Sequence, residues 1–155
     1  MTFDGKTVLV TGGTGSFGRK LIEVLLARQD PAAVRVFSRD ELKQSELRRT
    51  MDDERLRYLI GDVRDLARLT RAMRGVDIVV HAAALKQVPA CEYNPFEAVQ
   101  TNVIGAENIV SAAIENDVPL TIALSMRLAK PSSTFRLPGV SGKAVCSRQR
   151  LPWCW

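Results

Sequence analysis

Short apolar runs and amphipathic segments alternate along the first 125 residues of the chain. The runs that we predict as strands are rich in apolar and β-branched residues and end at glycine or polar positions: 7–11, 34–37, 57–60, 77–81 and 120–124. The segments with apolar residues at helical spacing predict helices over 16–28, 39–55, 65–74 and 95–116. This alternation is typical of an α/β fold with a doubly wound parallel sheet, and it predicts the strand order 3-2-1-4-5.

A glycine-rich turn joins the first predicted strand to the first predicted helix. Its sequence, TGGTGSFG at residues 11–18, has the G-x-G-x-x-G spacing where dinucleotide-binding Rossmann folds have it. Glycines let backbone N–H groups approach a pyrophosphate, and the helix N-terminus adds partial positive charge. The glycines that we expect to serve this purpose are Gly12, Gly13, Gly15 and Gly18. The alternative is a glycine-rich turn that binds nothing.

The end of the second predicted strand has basic residues where NAD-binding folds usually have an acid. Ser38 ends the strand, Arg39 follows it, and Lys43 lies one helical turn further on. Because guanidinium and ammonium groups pair with a ribose 2′-phosphate, we expect NADP rather than NAD. Alternatively, Ser38 and Glu41 form a helix capping box, and the basic residues belong to a solvated helix face.

The third and fourth predicted strands end in residues that suit the rest of a dinucleotide. Asp62 follows the third strand, where a carboxylate can accept a hydrogen bond from the adenine amino group; alternatively it only caps the following turn. The small residues Ala82 and Ala83 follow the fourth strand and let a ribose lie against the backbone. His81, the only histidine, and Cys91 are interpreted as buried structural side chains.

Charge divides the chain near Ser125. The 22 Lys and Arg outnumber the 17 Asp and Glu, but every acid precedes residue 126, so residues 1–125 have a net charge of −1 and residues 126–155 have +6. The basic balance belongs to the end of the chain and does not indicate a nucleic-acid partner. Three scattered cysteines and one histidine predict neither a disulfide framework nor a metal site. Neither a signal-peptide pattern nor a membrane-spanning pattern is found, and we expect a cytoplasmic protein.

Four strings together resemble one enzyme family. TGGTGSFG, FSRDELKQSE, GDVRD and HAAALKQVPACEYNPFEAVQTNVIGAENIV are similar to the inverting UDP-N-acetylglucosamine 4,6-dehydratases, nucleotide-sugar enzymes of the extended short-chain dehydrogenase/reductase superfamily. The resemblance covers residues 3–125. It implies an enzyme of polysaccharide or glycan biosynthesis that uses NADP to oxidise C4 of a UDP-sugar, removes the C5 proton and releases water from C6.

The resemblance also implies roles for individual residues. It implies pyrophosphate contacts from Thr14, Gly15, Ser16 and Phe17, 2′-phosphate contacts from Ser38, Arg39, Asp40, Glu41 and Lys43, adenine contacts from Asp62 and Val63, and a ribose contact from Ala82. Lys86 would reach cofactor or substrate, unless it is simply an exposed loop lysine. Asn102 would order the catalytic end of the site. For the intact family, a homo-oligomer joined through the 95–116 helix is implied.

The catalytic residues of that family are not found in this sequence. The family uses a Tyr-x-x-x-Lys pair and a Thr-Asp-Lys run, whereas here the letters MRL follow Ser125 and no Tyr-x-x-x-Lys occurs among the 155 residues. We therefore predict no catalytic residues and no dehydratase activity in the chain as written. We interpret residues 126–155 as an off-frame read-through; the alternative is a basic tail whose tryptophans stack on a nucleic acid or partner.

The sequence thus favours an NADP-binding half-domain over residues 1–125, without the later strands and the substrate domain of a nucleotide-sugar dehydratase. Two alternatives remain at this point. One is a non-catalytic nucleotide-binding module. The other is a nucleotide-sugar epimerase or reductase relative, which the strings SRDELKQ and LKQVP disfavour.

Overall fold

A parallel five-stranded sheet forms the centre of the protein, in a computed structural model that describes residues 2–124. The strands are β1 Thr7–Thr11, β2 Ala33–Ser38, β3 Leu56–Ile60, β4 Ile78–His81 and β5 Leu120–Ala123. Their order is β3-β2-β1-β4-β5, which confirms the predicted 3-2-1-4-5 arrangement. At the carboxyl end of β1, Thr11 pairs with Phe37 of β2 on one side and His81 of β4 on the other.

Helices connect the strands and cover both faces of the sheet. They are α1 Ser16–Arg28, α2 Glu41–Thr50, α3 Leu66–Met73, α4 Val88–Tyr93, α5 Pro95–Val99 and α6 Gly105–Glu115, with a π-helical turn at Gln100–Ile104 between the last two. The predicted helix over 16–28 is confirmed, whereas the helix predicted over 39–55 ends at Thr50. The predicted 95–116 helix is divided by the π turn, and α4 was not predicted.

Two aspartates fix the starts of α2 and α3. The Asp40 carboxylate accepts a hydrogen bond from the backbone N–H of Lys43 at 3.0 Å, and the Asp65 carboxylate accepts one from Arg68 at 2.9 Å. Each side chain satisfies a backbone N–H that has no partner within its helix. Both helices therefore have the acidic cap that their N-terminal dipole favours.

The alternative of a capping box formed by Ser38 and Glu41 is wrong, because the N-cap of α2 is Asp40. Gln44, which is buried, donates from Nε2 to the hydroxyl oxygen of Ser38 at 3.0 Å and to the carbonyl of Leu59 at 2.9 Å. This amide therefore joins the ends of β2 and β3. Ser38 is the last residue of β2. Its hydroxyl contacts Gln44 within α2 and does not cap the start of the helix.

Apolar side chains pack on both faces of the sheet, as a doubly wound fold requires. Alternate residues of β1 point to opposite faces: Leu9 packs on one, and Val8 and Val10 pack on the other. The first face is covered by α3 and α6, and the second by α1 and α2. Members of the two cores include Phe37, Leu69, Met73, Val79 and Ile109 on the first face and Ile22, Leu25, Val36 and Leu47 on the second.

Apolar side chains also remain exposed along the α5–α6 segment. The largest are Phe96, Val99, Val103, Ile104, Val110 and Ile114. Within residues 2–124, β5 pairs only with β4, so its other edge has no neighbour in that part of the chain. No helix formed by these residues has the length and apolar character to span a bilayer.

Candidate functional site

The ends of the strands bring the predicted site residues to one edge of the sheet. β1 lies between β2 and β4, so successive connections leave β1 in opposite directions. In open parallel sheets, ligands bind outside the carboxyl ends of the strands at such a reversal. The turn after β1, the ends of β2 and β3 and the loop after β4 all reach this edge.

The glycine turn after β1 packs directly on backbone. Gly12 has a φ of 67°, and a Cβ there would lie 2.8 Å from the Ala83 nitrogen. A Cβ on Gly13 would lie 2.7 Å from Val36 Cγ1, and one on Gly18 would lie 2.5 Å from the carbonyl oxygen of Gly12. The backbone contacts leave no room for a side chain at Gly12 or Gly18, so α1 begins directly against the ends of β1 and β4.

The N-terminus of α1 differs from those of α2 and α3. Its N-cap is Gly15, which offers no side-chain acceptor, and no acid occupies its first turn. Gly15 and Ser16 are exposed, Phe17 is half-buried, and Thr14 is buried with its carbonyl accepting from Arg19 Nε at 3.1 Å. The first N–H groups of α1 and its partial positive charge are therefore free of a resident side-chain anion.

The hydroxyl of Thr11 connects the ends of β1 and β4. Its Oγ1 lies 2.7 Å from Nδ1 of His81 and also accepts from the backbone N–H groups of Ala82 at 3.3 Å and Ala83 at 3.4 Å. Thr11 and His81 are both buried. Burial lowers the pKa of His81 from 6.5 to about 4, so the imidazole is neutral at pH 7. The interpretation of His81 as a buried, hydrogen-bonded structural residue is confirmed.

The two basic residues after β2 each contact a carboxylate. Arg39 Nη1 lies 3.5 Å from Asp62 Oδ2, and Lys43 Nζ lies 3.0 Å from Asp40 Oδ2. Hydrogen bonds from the backbone and side chain of Lys43 lower the pKa of Asp40. Because more than half of each basic side chain is exposed, these ion pairs contribute little stability and are easily exchanged.

Asp62 lies in a charged network that joins the end of β3 to α5. Its Oδ2 accepts from Arg64 Nη2 at 2.8 Å, and Arg64 Nη1 donates to Glu97 at 2.7 Å. Burial raises the pKa of Asp62, but the hydrogen bonds from Arg64 outweigh it, so the pKa is lowered overall. Asp62 also accepts from the backbone N–H of Arg64, as the turn-capping alternative expected. That role and an ionised carboxylate at the site are compatible.

Asn102 fixes the loop after β4. Its side chain accepts from the Leu85 N–H at 2.8 Å and donates to the Leu85 carbonyl at 2.9 Å, so both amide groups are used on one residue. Lys86 follows directly and is exposed. A cavity of about 250 Å³ opens beside it, lined by Ala84, Leu85, Lys86, Gln87, Ala90 and Cys91. Cys91 is only half-buried, so its interpretation as a buried thiol is wrong.

A larger cavity lies at the opposite edge of the sheet. Its volume is about 440 Å³, and Arg55 at its wall pairs with Asp53 at 2.7 Å. These residues precede β3, whereas ligands of parallel sheets bind beyond the carboxyl ends. Across residues 2–124, no three His, Cys, Asp or Glu side chains are grouped so that they could hold a metal ion.

A family model described as "Polysaccharide biosynthesis protein" matches residues 8–140, which include the glycine turn, β2 to β5, all of β1 except Thr7, and Asn102. The chain belongs to this family. The resemblance seen in the sequence is thereby confirmed. The match continues past Ser125 into the part of the chain beyond the described residues.

Curated relatives of this chain have two different activities in their names. A UDP-N-acetylglucosamine 4,6-dehydratase (inverting) of Campylobacter jejuni is 53% identical over 123 residues, and a UDP-glucose 4-epimerase of Rickettsia akari is 52% identical over 126. Both alignments cover 79% of this chain but only 37% of the relative. Because the two identities are nearly equal, overall identity does not separate the dehydratase from the epimerase.

A solved structure supports the fold of this family member. The double mutant of the dTDP-glucose 4,6-dehydratase DesIV from Streptomyces venezuelae, with NAD and DAU bound, superposes with a TM-score of 0.70 at 33% identity. The superposition covers 76% of this chain and 38% of that enzyme. The Rossmann-type fold expected from the sequence is therefore confirmed.

The sequence pattern did not reveal three residues that organise the site. Thr11, Gln44 and Asn108 each make buried hydrogen bonds that join separate elements. The partners of Thr11 and Asn108 are 70 and 45 residues away in the sequence. A buried polar residue on an otherwise apolar strand or helix face was the available signal, since such groups require partners.

We predict that His81 makes the fold sensitive to mild acid. The unfolded chain binds a proton near pH 6.5, whereas the folded chain binds it only near the lowered pKa of about 4. Stability is therefore fully present above pH 6.5 and is lost as the pH falls towards 4, by about 2 kcal/mol at pH 5. Urea unfolding at pH 7.5 and pH 5 measures this loss. The variant His81→Gln should show a smaller loss, and an equal loss in both chains would contradict the prediction.

Proposed function

We propose that residues 1–125 form the dinucleotide-binding half-domain of a nucleotide-sugar enzyme. The observation that carries the proposal is the N-terminus of α1, which lies without a side-chain cap or an acid at the reversal of the sheet. A pyrophosphate supplies the missing negative charge and accepts from the free N–H groups. Gly12 and Gly18 support this reading, because backbone fills the space that their side chains would need, and a side chain on Gly13 would collide with Val36.

The residues present fit a dinucleotide along this edge. The pyrophosphate contacts fall to Thr14, Gly15, Ser16 and Phe17 at the start of α1. Asp62 and Val63 take the adenine, and Ala82 and Ala83 take a ribose. When bound, the nicotinamide supplies a hydride acceptor, and the protein residues bind and orient it.

We favour NADP as the dinucleotide. The end of β2 offers Ser38 and Arg39 in place of the acid that an NAD ribose prefers. The nearby Asp40 leaves the contact with the phosphate to Arg39 and Lys43, because its carboxylate caps α2 and pairs with Lys43. Arg39 and Lys43 can exchange their weak carboxylate contacts for a 2′-phosphate. The DesIV structure contains NAD, so NAD is the competing cofactor to be tested.

The second substrate of the intact enzyme would be a UDP-sugar. Lys86 lies exposed on the loop that Asn102 clamps, beside the cavity of about 250 Å³. This position suits a contact with cofactor or substrate phosphate. The dehydratase assignment rests on the sequence resemblance and the Campylobacter jejuni relative, and the Rickettsia akari relative makes a UDP-sugar 4-epimerase the second candidate.

We further propose a cytoplasmic homo-oligomer for the intact protein. The exposed apolar side chains between Phe96 and Ile114 form a surface that a second copy would cover. The chain spans 37% of the length of the curated relatives, and the proposed activity and assembly are those of the intact family. A non-catalytic nucleotide-binding module is the remaining candidate for the chain by itself.

We predict that Gly15→Asp uncouples folding from nucleotide binding. An aspartate at the N-cap stabilises α1, but it places a negative charge where the pyrophosphate binds. NADP⁺ affinity, measured by isothermal titration calorimetry, should fall at least about tenfold, while the melting temperature holds or rises.

The matched control is Gly15→Ser, which adds a Cβ and a cap without charge. Its NADP⁺ affinity should fall less than that of the aspartate variant, because only the aspartate adds a negative charge. Equal losses in the aspartate and serine variants would indicate a steric effect and contradict the charge argument. Absence of binding to both NADP⁺ and NAD⁺ by the unchanged chain would contradict the proposed function itself.

Arg39→Ala should weaken NADP⁺ binding about tenfold and leave NAD⁺ binding nearly unchanged, because only NADP⁺ has the 2′-phosphate. Titration of both cofactors into the variant and the unchanged chain measures the two effects. Arg49→Ala, which removes an exposed arginine from the last turn of α2, is the control for net charge. An equal loss of affinity for NAD⁺ and NADP⁺ in Arg39→Ala would show that Arg39 does not bind the 2′-phosphate.

The chain as written should not convert UDP-N-acetylglucosamine. No Tyr-x-x-x-Lys pair is encoded to accept the C4 hydroxyl proton. Incubation with NADP⁺ and the sugar nucleotide, followed by mass spectrometry for the loss of one water, checks this. The full-length Campylobacter jejuni dehydratase is the positive control, and a dehydrated product from the 155-residue chain would refute the prediction.

A further inference from the structure

The buried face of α6 contacts both the backbone and the side chain of Val63. Asn108 Nδ2 donates to the Val63 carbonyl at 3.0 Å, and both residues are more than nine-tenths buried. One helical turn earlier, Gly105 leaves room for the Val63 side chain: a Cβ on Gly105 would lie 2.8 Å from Val63 Cγ2. The helix therefore holds this residue by its side chain and its backbone together.

Asp62 and Val63 are adjacent in the sequence, and each is held by a different part of the structure. Asp62 is held on the outside by Arg64, through its side chain at 2.8 Å and through a backbone N–H at 2.9 Å. Val63 is held on the inside by Gly105 and Asn108. With both residues anchored, the Asp62 carboxylate has little freedom to move along the edge of the sheet.

The anchoring of α6 itself does not require Asn108. Ile109, Ala112 and Ala113 already pack this helix into the apolar core. An amide at a buried position must recover the hydrogen bonds that it loses with water, so an apolar residue would serve packing at least as well. The side chain of Asn108 is therefore best explained by what it holds.

We infer that Gly105 and Asn108 are positioning residues for base recognition. They place Asp62 and Val63 so that the site selects adenine over a purine without the 6-amino group. This inference rests on the proposed dinucleotide function and extends it to a specific base. A carboxylate accepts from the adenine 6-amino group, whereas the 6-oxo group of hypoxanthine presents a second acceptor to it.

The experiment compares two cofactors in the 155-residue chain. NADP⁺ and its hypoxanthine analogue, nicotinamide hypoxanthine dinucleotide phosphate, are titrated separately, and the ratio of their dissociation constants is the readout. The unchanged chain should prefer NADP⁺ about tenfold. Asn108→Leu should reduce that preference to less than about threefold, because the dipeptide is released from the helix.

Asn116→Leu is the matched control. Asn116 lies at the end of the same helix and donates from Nδ2 to the carbonyl of Thr70 at 3.2 Å, away from the base site. Its loss should lower the melting temperature and leave the preference for adenine unchanged. A purely structural role of Asn108 would likewise move the melting temperature without changing the ratio.

Two further variants keep the test decisive if Asn108→Leu does not fold. Asn108→Ser shortens the side chain, and Gly105→Ala adds a Cβ that collides with Val63. Both variants should reduce the preference for NADP⁺ over its hypoxanthine analogue. A folded Asn108 variant with the full preference would overturn the inference, as would failure of all three variants to fold. An unchanged chain that binds neither cofactor would overturn the proposed function as well, whereas equal binding of both cofactors by that chain would overturn only the base selection.

Discussion

The rest of the structure depends on the contact between the glycine turn after β1 and the backbone at the end of β4. Gly12 touches Ala82 and Ala83 so closely that no side chain fits between them, and the Thr11 hydroxyl bonds the same two residues. This contact fixes where α1 begins relative to the sheet. The free N–H groups of α1, the ends of β2 and β3 and the loop after β4 then share one edge, and the site follows from that geometry.

Electrostatics distinguish that edge from the remainder of the surface. α2 and α3 supply their own aspartate caps, and near the edge Asp62 pairs with Arg39 and Arg64 while Asp40 pairs with Lys43. Only α1, among these three helices, begins on a glycine with no acid in its first turn. The local arrangement of charge therefore indicates an anion site more clearly than the net charge of +5, which comes from the end of the chain.

The sheet and the glycine turn could be predicted from the sequence because their signals are local. Strand periodicity and the G-x-G-x-x-G spacing each fit within a few residues. The alternative of a capping box at Ser38 was wrong because Asp40 caps α2 and Gln44 bonds to the serine hydroxyl. The roles of Thr11 and Asn108 depend on partners 70 and 45 residues away, which no local pattern contains. The helix divided at Gln100–Ile104 looked continuous because a π turn keeps the helical direction and its five residues include no glycine or proline.

Because of that π turn, the site depends on the number of residues in the helical segment. Asn102 lies within the turn and holds Leu85, while Asn108 lies beyond it and holds Val63. Deleting one residue from the turn would yield a more regular helix, yet it would rotate the earlier part by about 100° and shift it by about 1.5 Å relative to the later part. The two asparagines could then no longer reach both loops. Substitutions are tolerated more easily here than insertions or deletions, and an alignment gap within Gln100–Ile104 would mark a relative whose site is built differently.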